Sequence, residues 1–300
     1  MTQRINSRIV KLSEIKGDRE TKGIHGWLLP VTRTIEYFRF GNVFLYTGKT
    51  NAGKSTIANL DAVAFIEQGY KVGIFSGEQS TLQLRDWLIT PMAGNNMDEI
   101  YIEDIKKKKK VIKKEVRKSI IAYYDEYIDI IEAKDTKINE YSLFKNMEDL
   151  VDQGTKVFMI DNAMIVNYMD NYNQFEGERE FFFKLVEFAK KHKLIIQVVK
   201  HPNKRSTKDV GTDGVSGFGD LANVVQFQFS IEEITYEEKN DPDDELRFGM
   251  DRLIHIKKNR ETGEKIIIQC KWLPDKRRLI SAVEKYQTRK NYVFNWERSF

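Results

Sequence analysis

The sequence of 300 residues contains very little that could cross-link it or bind structural zinc. Its one cysteine, Cys270, has no partner for an internal disulfide. Together with only four scattered histidines, it supplies too few ligands for a zinc finger or a zinc ribbon. Proline is also scarce, with five residues, and no proline- or glycine-rich linker divides the chain. We therefore expect a single domain without structural zinc.

Long apolar runs are absent as well. No stretch approaches the ~18 apolar residues of a membrane span, and the first residues lack the apolar core of a signal peptide. Hydrophobic residues make up 41% of the chain and charged residues 31%, which argues against wholesale disorder. These features predict a soluble, cytoplasmic, globular protein with no membrane partner.

Charge of one sign is not in excess overall, since the formal net charge is only +4, but it is segregated along the chain. Residues 232–246 are acidic and contain Pro242 with several turn-forming residues, which predicts an exposed loop. Residues 103–118 are rich in lysine and show apolar residues at helical spacing, so an amphipathic helix with solvated lysines is the favoured interpretation. A contact with nucleic acid is the alternative. The apolar positions in this basic segment are Ile105, Ile112, Val116 and Ile120.

Strand-like and helix-like segments alternate through most of the chain. Parallel strands need long crossovers, so this alternation predicts an α/β fold with a mostly parallel central sheet flanked by helices. A short Glu261-Thr262-Gly263 turn between the last two strands predicts an antiparallel hairpin near the C-terminus. The predicted strands are Val43–Thr47, Val72–Ser76, Tyr127–Ile131, Val157–Asp161, Leu194–Lys200, Val224–Ser230, Leu253–Lys258 and Ile266–Cys270. The predicted helices are Ser55–Glu67, Ser80–Leu88, Ser142–Gln153 and Glu178–His192.

The strongest motif is a phosphate-binding loop, because residues 48–55 match GxxxxGK[ST] between a predicted strand and a predicted helix. Glycines let backbone N–H groups curl around phosphate oxygens, and the helix N-terminus adds positive potential. Lys54 is expected to reach the β- and γ-phosphates, and the Ser55 hydroxyl to bind Mg²⁺. The predicted nucleotide-binding residues are Gly48, Asn51, Ala52, Gly53, Lys54, Ser55 and Thr56.

Two carboxylates follow other apolar strands of the same predicted sheet. Asp161 ends the strand that begins at Val157, the form of a Walker B strand, and would hold Mg²⁺ beside the P-loop. A turn or helix-cap role is its structural alternative. Glu78 comes just after the strand Val72–Ser76 and is the best candidate for the base that activates water, with a helix-capping glutamate as the rival interpretation.

The order of these motifs resembles the RecA-like ATPase domain of hexameric replicative DNA helicases of the DnaB and Twinkle type, from about Gly23 to about Leu279. The matching segments are Gly26-Trp27, the run from Gly41 to Gly48, Phe75-Ser76-Gly77-Glu78, Ile160-Asp161-Asn162, Val199-Lys200-His201-Pro202-Asn203-Lys204 and Lys258-Asn259-Arg260. The resemblance implies a RecA-like P-loop NTPase that uses ATP and Mg²⁺.

The same resemblance implies roles for residues that their local patterns leave open. His201 would sense the γ-phosphate, although a histidine at a strand end is more often a polar cap. Arg260 would be an arginine finger and Lys258 its companion, both reaching the ATP of the neighbouring subunit. A solvated hairpin tip is the alternative for this basic run.

A polar, glycine-containing loop follows His201, and the resemblance implies that it faces a central channel. Its basic side chains and flexible backbone would hold single-stranded DNA by its phosphates without base recognition. A mobile surface loop is the alternative. The predicted DNA-binding residues are Lys204, Arg205, Lys208 and Gly211.

These features together predict an ATP-dependent, ring-forming DNA helicase that translocates on single-stranded DNA, with 5′→3′ polarity implied by the resemblance. We expect an arm or linker at 1–22, the ATPase domain at 23–286 and a tail at 287–300. The expected partners are further copies of the chain in a hexamer, a separate primase because none is fused, and a loader. A RecA-like recombinase or recombination mediator and a nucleotide-switched helicase-loading or adaptor protein are the alternatives.

Overall fold

The computed structural model describes Lys11 and residues 23–132, 138–167, 174–201 and 223–282. Within these residues a nine-stranded sheet forms the centre of the fold, and the longer helices pack on its two faces. No helix in this part of the chain is long and apolar enough to cross a membrane. The predicted arm and tail lie outside the described residues, apart from Lys11, and the predicted domain limits stay a prediction.

The strands and helices take their bounds from the structure. The strands are β1 (Asn42–Thr47), β2 (Val72–Ser76), β3 (Met97–Ile102), β4 (Lys107–Ile112), β5 (Ile128–Ile131), β6 (Ile138–Asn139), β7 (Val157–Asp161), β8 (Val166–Asn167), β9 (Ile195–Val199), β10 (Phe227–Glu233), β11 (Arg252–Asn259), β12 (Ile267–Leu273) and β13 (Arg278–Ser281). The helices are α1 (Leu29–Thr34), α2 (Lys54–Ile66), α3 (Thr81–Ala93), α4 (Lys114–Tyr124), α5 (Glu140–Asp152), α6 (Gln174–His192) and α7 (Tyr236–Lys239).

The central sheet has the order β13-β12-β11-β10-β1-β9-β7-β2-β5. The six strands from β10 to β5 run parallel, and β11, β12 and β13 extend the sheet with antiparallel pairs. This confirms the predicted α/β fold with a mostly parallel sheet and an antiparallel hairpin near the C-terminus. Because β1, β9, β7 and β2 are neighbours, their carboxyl ends meet at one edge of the sheet.

Two apolar cores hold the layers together, one on each face of the sheet. Alternate residues of β1 enter different cores: Phe44 packs with side chains of α2, α3 and α4, whereas Val43 packs with side chains of α5 and α6. This alternation is the two-residue period of a strand that is buried on both faces. The near-continuous apolar strands of the sequence are therefore explained by helices on both sides.

The basic segment differs from its prediction. Residues 103–118 form no continuous amphipathic helix: Lys107–Ile112 is strand β4, which pairs antiparallel with β3, and α4 begins only at Lys114. The apparent helical period joins apolar residues from different elements. Of these, Val116 and Ile120 belong to α4 and are buried.

The acidic segment differs from the predicted exposed loop in its first half, whereas residues 240–246 around Pro242 contain turns and are mostly exposed, as predicted. Glu232 and Glu233 are the last residues of β10, and the short helix α7 follows. Thr235 caps this helix in a capping box with Glu238, which satisfies backbone N–H groups at its start. The acidic side chains partly pair with Arg247, which contacts Glu232 at 2.8 Å. Pairing across the segment therefore gives it local structure.

Candidate nucleotide-binding site

The P-loop connects β1 to α2 through a backbone that only glycine adopts readily at two points. Gly48 and Gly53 have φ angles of +144° and +98°. A Cβ atom on Gly48 would lie 2.2 Å from the carbonyl oxygen of Ile231, so the loop passes too close to β10 for any side chain. Gly53 is the N-cap of α2, which places the positive end of that helix at the loop.

Lys54 and Ser55 follow as the first residues of α2, and both turn toward the loop and β7. The Lys54 ammonium donates a hydrogen bond to the carbonyl oxygen of Lys49 at 2.8 Å and is almost fully buried. Burial lowers the pKa of Lys54, while the negative charges of Asp161 and Glu78 oppose this shift. A ligand phosphate would offer this buried cation a stronger acceptor than the loop carbonyl.

Asp161, the last residue of β7, has the properties of a carboxylate that binds a cation. Its side chain accepts a hydrogen bond from Ser55, while its Oδ1 atom has no hydrogen-bond partner among the described residues. Burial raises the pKa of Asp161 to about 6; the Ser55 bond and Lys54 oppose the rise, and Glu78 adds to it. A buried, unsatisfied carboxylate oxygen beside a hydroxyl fits Mg²⁺, which prefers oxygen ligands.

Glu78 lies beyond β2 and contacts residues from two neighbouring strands. Asn162, which follows β7, donates a side-chain hydrogen bond to Glu78 Oε1. His201, which follows β9, places Nε2 3.4 Å from Glu78 Oε2. The Glu78 side chain is 45% exposed, so water can reach it. The three residues therefore form a polar group at the edge where Asp161 and the P-loop also lie.

The alternative role of Glu78 as a helix cap does not fit the geometry. Ser80 caps α3: its hydroxyl accepts a hydrogen bond from the Gln83 backbone N–H at 3.3 Å. The Gln83 side chain completes the capping box by accepting from the Ser80 backbone N–H at 3.2 Å. The Glu78 side chain is instead directed to His201 and Asn162.

A cavity of about 340 Å³ lies beside these groups. Two half-buried indole rings, Trp87 from α3 and Trp272 from β12, also line it, with ring centroids 6.1 Å apart. The Arg277 guanidinium packs 4.5 Å from the Trp87 ring. Arg252, the first residue of β11, also lines this cavity and pairs with Glu233 at 2.9 Å. The cavity thus joins a phosphate-binding loop to flat aromatic surfaces.

Sequence reasoning did not identify Trp87, Trp272, Arg252 or Asn162 as site residues. Trp87 follows Leu84 by three residues in α3, so its spacing is that of a core position. Asn162 could have been found, because it directly follows the predicted Walker B aspartate, Asp161, at the carboxyl edge of the sheet. The other residues reach the cavity through the pairing of β11 and β12, which no local pattern indicates.

The predicted finger residues lie at a different end of the sheet from the P-loop. The end of β1 at Thr47 lies beside Ser230 of β10, and Ser230 lies opposite His255 of β11. Lys258 is farther along β11, opposite Gln228, and so lies farther from the P-loop. The register therefore separates the two predicted parts of the site within one chain.

The surroundings of the two finger residues agree with this separation. Arg260 is exposed and donates a hydrogen bond to the carbonyl oxygen of Asn223 at 2.6 Å. Burial lowers the pKa of Lys258 to about 8, and the charge of Arg260 adds to this. Neither side chain lines the cavity of its own chain.

The segment before the P-loop is held against α2 by a buried polar network. Asp61 of α2 accepts hydrogen bonds from the Trp27 backbone N–H at 2.6 Å and from the Tyr46 hydroxyl at 2.7 Å. Gln197 of β9 donates to the same hydroxyl at 2.7 Å. Burial, followed by Asp61, raises the pKa of Tyr46 far above its ordinary value, so the phenol stays neutral. These bonds fix β1 and α2, and therefore the two ends of the P-loop.

The four predicted DNA-binding residues cannot be placed in this site. Lys204, Arg205, Lys208 and Gly211 lie outside the described residues. Their role stays a prediction.

The parallel sheet, the loop between β1 and α2 and the acidic residues beyond β2 and at the end of β7 are the features of a RecA-like α/β fold. A scan of protein-family models finds none that matches the chain. A search of curated proteins finds no match.

Solved structures specify this fold further. The chain is similar to a solved ATPase domain, with a TM-score of 0.71 and 12% sequence identity over 87% of this chain and 91% of that one. A DnaB-like replicative helicase, whose structure was described with its interactions with primase, matches with a TM-score of 0.71 and 13% identity. That match covers 88% of this chain and 64% of the helicase, so this chain spans less than two thirds of that protein. At the level of fold, these matches confirm the resemblance to DnaB-like helicase ATPase domains.

Proposed function

We propose that this protein is the Mg²⁺-dependent ATPase motor of a ring-forming DNA helicase. The observation that carries the proposal is the meeting of Lys54, Asp161 and Glu78 at one edge of the sheet, beside a cavity that would admit a nucleotide. The similarity to DnaB-like helicase ATPase domains supports the choice of a helicase over other P-loop proteins.

In the proposed mechanism the P-loop N–H groups and Lys54 hold the phosphates of ATP. Ser55 and Asp161 would hold Mg²⁺, which supplies positive charge to the phosphate oxygens when bound. Lys54 exchanges the Lys49 carbonyl for a phosphate oxygen, so that a buried cation balances part of the negative charge of the ligand. The indole of Trp87, which lines the cavity beside the P-loop, would pack against the adenine ring of ATP.

Glu78 accepts a proton from the attacking water in this mechanism. Asn162 restrains one Glu78 oxygen by a hydrogen bond, and His201 contacts the carboxylate from the end of β9. In this proposal His201 would also contact the γ-phosphate, so loss of that phosphate would change the contacts at the end of the strand that precedes the predicted DNA loop. Arg260 would complete the site of a neighbouring subunit, and DNA would pass through the ring.

The role of Glu78 is tested by Glu78→Gln, which keeps the shape and the contact to Asn162 but removes the basic oxygen. We expect turnover of ATP to fall by about 10²–10⁴-fold, the usual worth of a general base. Binding of a fluorescent ATP analogue should stay within a few-fold of the unmodified protein.

Glu148→Gln is the matched control, because Glu148 is an exposed residue of α5. Its turnover should be unchanged. Turnover by Glu78→Gln at the rate of the unmodified protein would remove Glu78 from the mechanism.

A forked DNA substrate with ATP, with particle mass measured in parallel by native mass spectrometry, tests the motor itself. Unwinding by a ring-sized particle supports the helicase. A DNA-coating filament without strand displacement would favour the recombinase, and weak turnover with stoichiometric binding to a helicase would favour the adaptor.

A further inference from the structure

The basic segment forms part of the exposed β3–β4 hairpin, to which the proposed ATPase mechanism assigns no role. Among the residues that the structure describes, strands β3 and β4 pair only with each other, in a two-stranded sheet separate from the central one. A 3-10 turn over Glu103–Ile105 and Lys106, which has a φ of +48°, forms the tip. Every residue from Glu103 to Lys110 is exposed.

One face of this hairpin is anchored and electrically neutral. Met97 lies opposite Ile112, and both pack against the core next to α3 and α4. Lys108 pairs with Glu99 at 2.7 Å across the strands. Lys110 pairs with Asp275, in the turn between β12 and β13, at 2.8 Å. The lysines of this face therefore have acidic partners and hold the hairpin to the body of the protein.

The other face carries lysines without such partners. Lys107 lies opposite Ile102, and Lys109 opposite Ile100, so these four side chains share the face that points away from the anchor. Neither lysine forms an ion pair with any described residue. Lys106 at the tip has none either within the described ranges. Asp98 lies at the base of this outer face.

The acidic residues near this face lie at its two ends rather than between its lysines. Glu103 and Asp104 are in the turn at the tip, and Asp98 lies opposite Val111 near the base. Beyond β4, Lys113 and Lys114 lead into α4 and are exposed. A run of exposed lysines thus extends from the tip to the base of β4 and into the next helix.

The apolar residues of the outer face indicate which polyanion it fits. Ile100 is 42% exposed and Ile105, at the tip, is 62% exposed. Lys107 and Lys109 are two residues apart on a strand, which separates their Cα atoms by about 7 Å. Such lysines can follow the phosphates of one strand while the isoleucines contact bases. Only unpaired bases expose their flat faces, because a duplex buries them in the stack.

We propose that the outer face of the β3–β4 hairpin, formed by Lys107, Lys109, Ile100 and Lys106, is a binding site for single-stranded DNA. This site is separate from the loop after His201 and does not require hydrolysis of ATP. It would hold a strand on the body of each subunit through phosphate contacts and sequence-tolerant contacts to bases.

The test measures binding of a fluorescent oligothymidine, without nucleotide, by the full-length unmodified protein and by two double variants. The variant Lys107→Glu/Lys109→Glu reverses the charge of two lysines on the outer face. The control variant, Lys145→Glu/Lys191→Glu, makes the same change of charge at exposed residues of α5 and α6. We expect about tenfold weaker binding in the hairpin variant only. The slope of log affinity against log salt concentration should fall by roughly 1.4, the value for two lost phosphate contacts on a single strand.

A cross-linking experiment tests the location independently of affinity. The one native thiol, Cys270, is fully buried, and burial raises its pKa to about 12, so a photoactivatable maleimide would label only an introduced cysteine. Lys109→Cys should cross-link to the oligothymidine, and Lys145→Cys should not.

Several results would overturn the proposal. Unchanged affinity and salt slope in the hairpin variant would do so, as would an equal loss in the Lys145/Lys191 control. Blunt duplex bound as tightly as the single strand would refute the single-strand assignment, and the absence of a cross-link at position 109 would refute the location. Turnover of ATP without DNA is measured in the same variants, so failure of the proposed ATPase is seen separately from failure of the hairpin site.

Discussion

At the scale of single residues, Asp161 shows what it costs to place a carboxylate in a buried position of the candidate site. The carboxylate is 1% exposed, and one of its oxygens has no hydrogen-bond partner in the described part of the chain. Burial opposes its ionisation more than Ser55 and Lys54 favour it, and the result is the pKa of about 6. A bound divalent cation would offset the cost of ionising this buried carboxylate. Without such a cation, the charged side chain lowers the stability of the folded protein.

The environment of Asp161 predicts that Asp161→Asn stabilises the protein in the absence of metal and nucleotide. Because the folded state binds the proton more tightly than the unfolded state, whose pKa is near 3.8, the contribution of Asp161 to stability is largest at low pH and is lost as pH rises through about 6. At pH 7.5 with EDTA, the variant should gain on the order of 1–3 kcal/mol in urea unfolding. At pH 4 the gain should nearly vanish.

The same Asp161→Asn variant should lose Mg²⁺-dependent nucleotide binding. The control variant is Asp152→Asn, which changes an exposed carboxylate at the end of α5. It should alter neither the free energy of unfolding nor nucleotide binding. A destabilised Asp161→Asn protein at pH 7.5 would show that the buried charge is compensated in a way that its neighbours do not reveal.

At the scale of secondary-structure elements, a buried ion pair joins α6 to the residue that follows β9, beside the candidate site. The Lys200 ammonium donates a hydrogen bond to Glu178 of α6, and the two residues are 1% and 7% exposed. Burial lowers the pKa of Lys200, and Glu178 opposes this. Lys200 directly precedes His201, so the Lys200–Glu178 ion pair helps to position His201 at the end of β9.

We predict that Lys200→Met costs about 3–5 kcal/mol in the free energy of unfolding, since it leaves the Glu178 carboxylate buried without its cation. The double variant Glu178→Gln/Lys200→Met should recover most of this loss, because both charges are then gone. Urea unfolding of the single and double variants measures the coupling. Strictly additive losses would mean that the pair itself contributes nothing.

Elements were predictable where chemistry and periodicity lie in one short segment. Residues 48–55, Glu78 and Asp161 each follow an apolar run, so their meeting at one edge follows from the parallel order of the strands. The β3–β4 hairpin was not predictable, because a run of lysines has low strand propensity and its register depends on pairing with β3. Trp87 and Trp272 meet only through tertiary packing.

At the scale of the whole molecule, each chain presents its candidate nucleotide cavity and its Lys258–Arg260 segment at different ends of the sheet. A site completed in trans requires this separation, because one subunit would contribute the P-loop and the next the guanidinium. The exposed position of Arg260 suits such a contact, although its role remains part of the proposal.

Mixing two inactive variants tests completion in trans. Lys54→Ala removes phosphate binding but keeps Arg260, and Arg260→Ala keeps the P-loop but lacks the finger. Each alone should lose about 10³-fold or more in turnover, while mixed assemblies should recover a measurable fraction. Mixing Arg260→Ala with the double variant Lys54→Ala/Arg260→Ala should give no recovery. Equal turnover in both mixtures would rule out a finger supplied by the neighbouring subunit.

Strand β11 begins at Arg252, in the cavity of its own chain, and ends at Asn259, one residue before Arg260. It pairs with β10 along this length, with one irregularity near Gln228, and covers about 25 Å. In an assembled ring, this strand would link the nucleotide of its own subunit to the nucleotide that its Arg260 contacts in the neighbouring subunit. A shift of the strand at one nucleotide would then move Arg260 at the other, so the order of hydrolysis around the ring would depend on the stiffness of a paired strand.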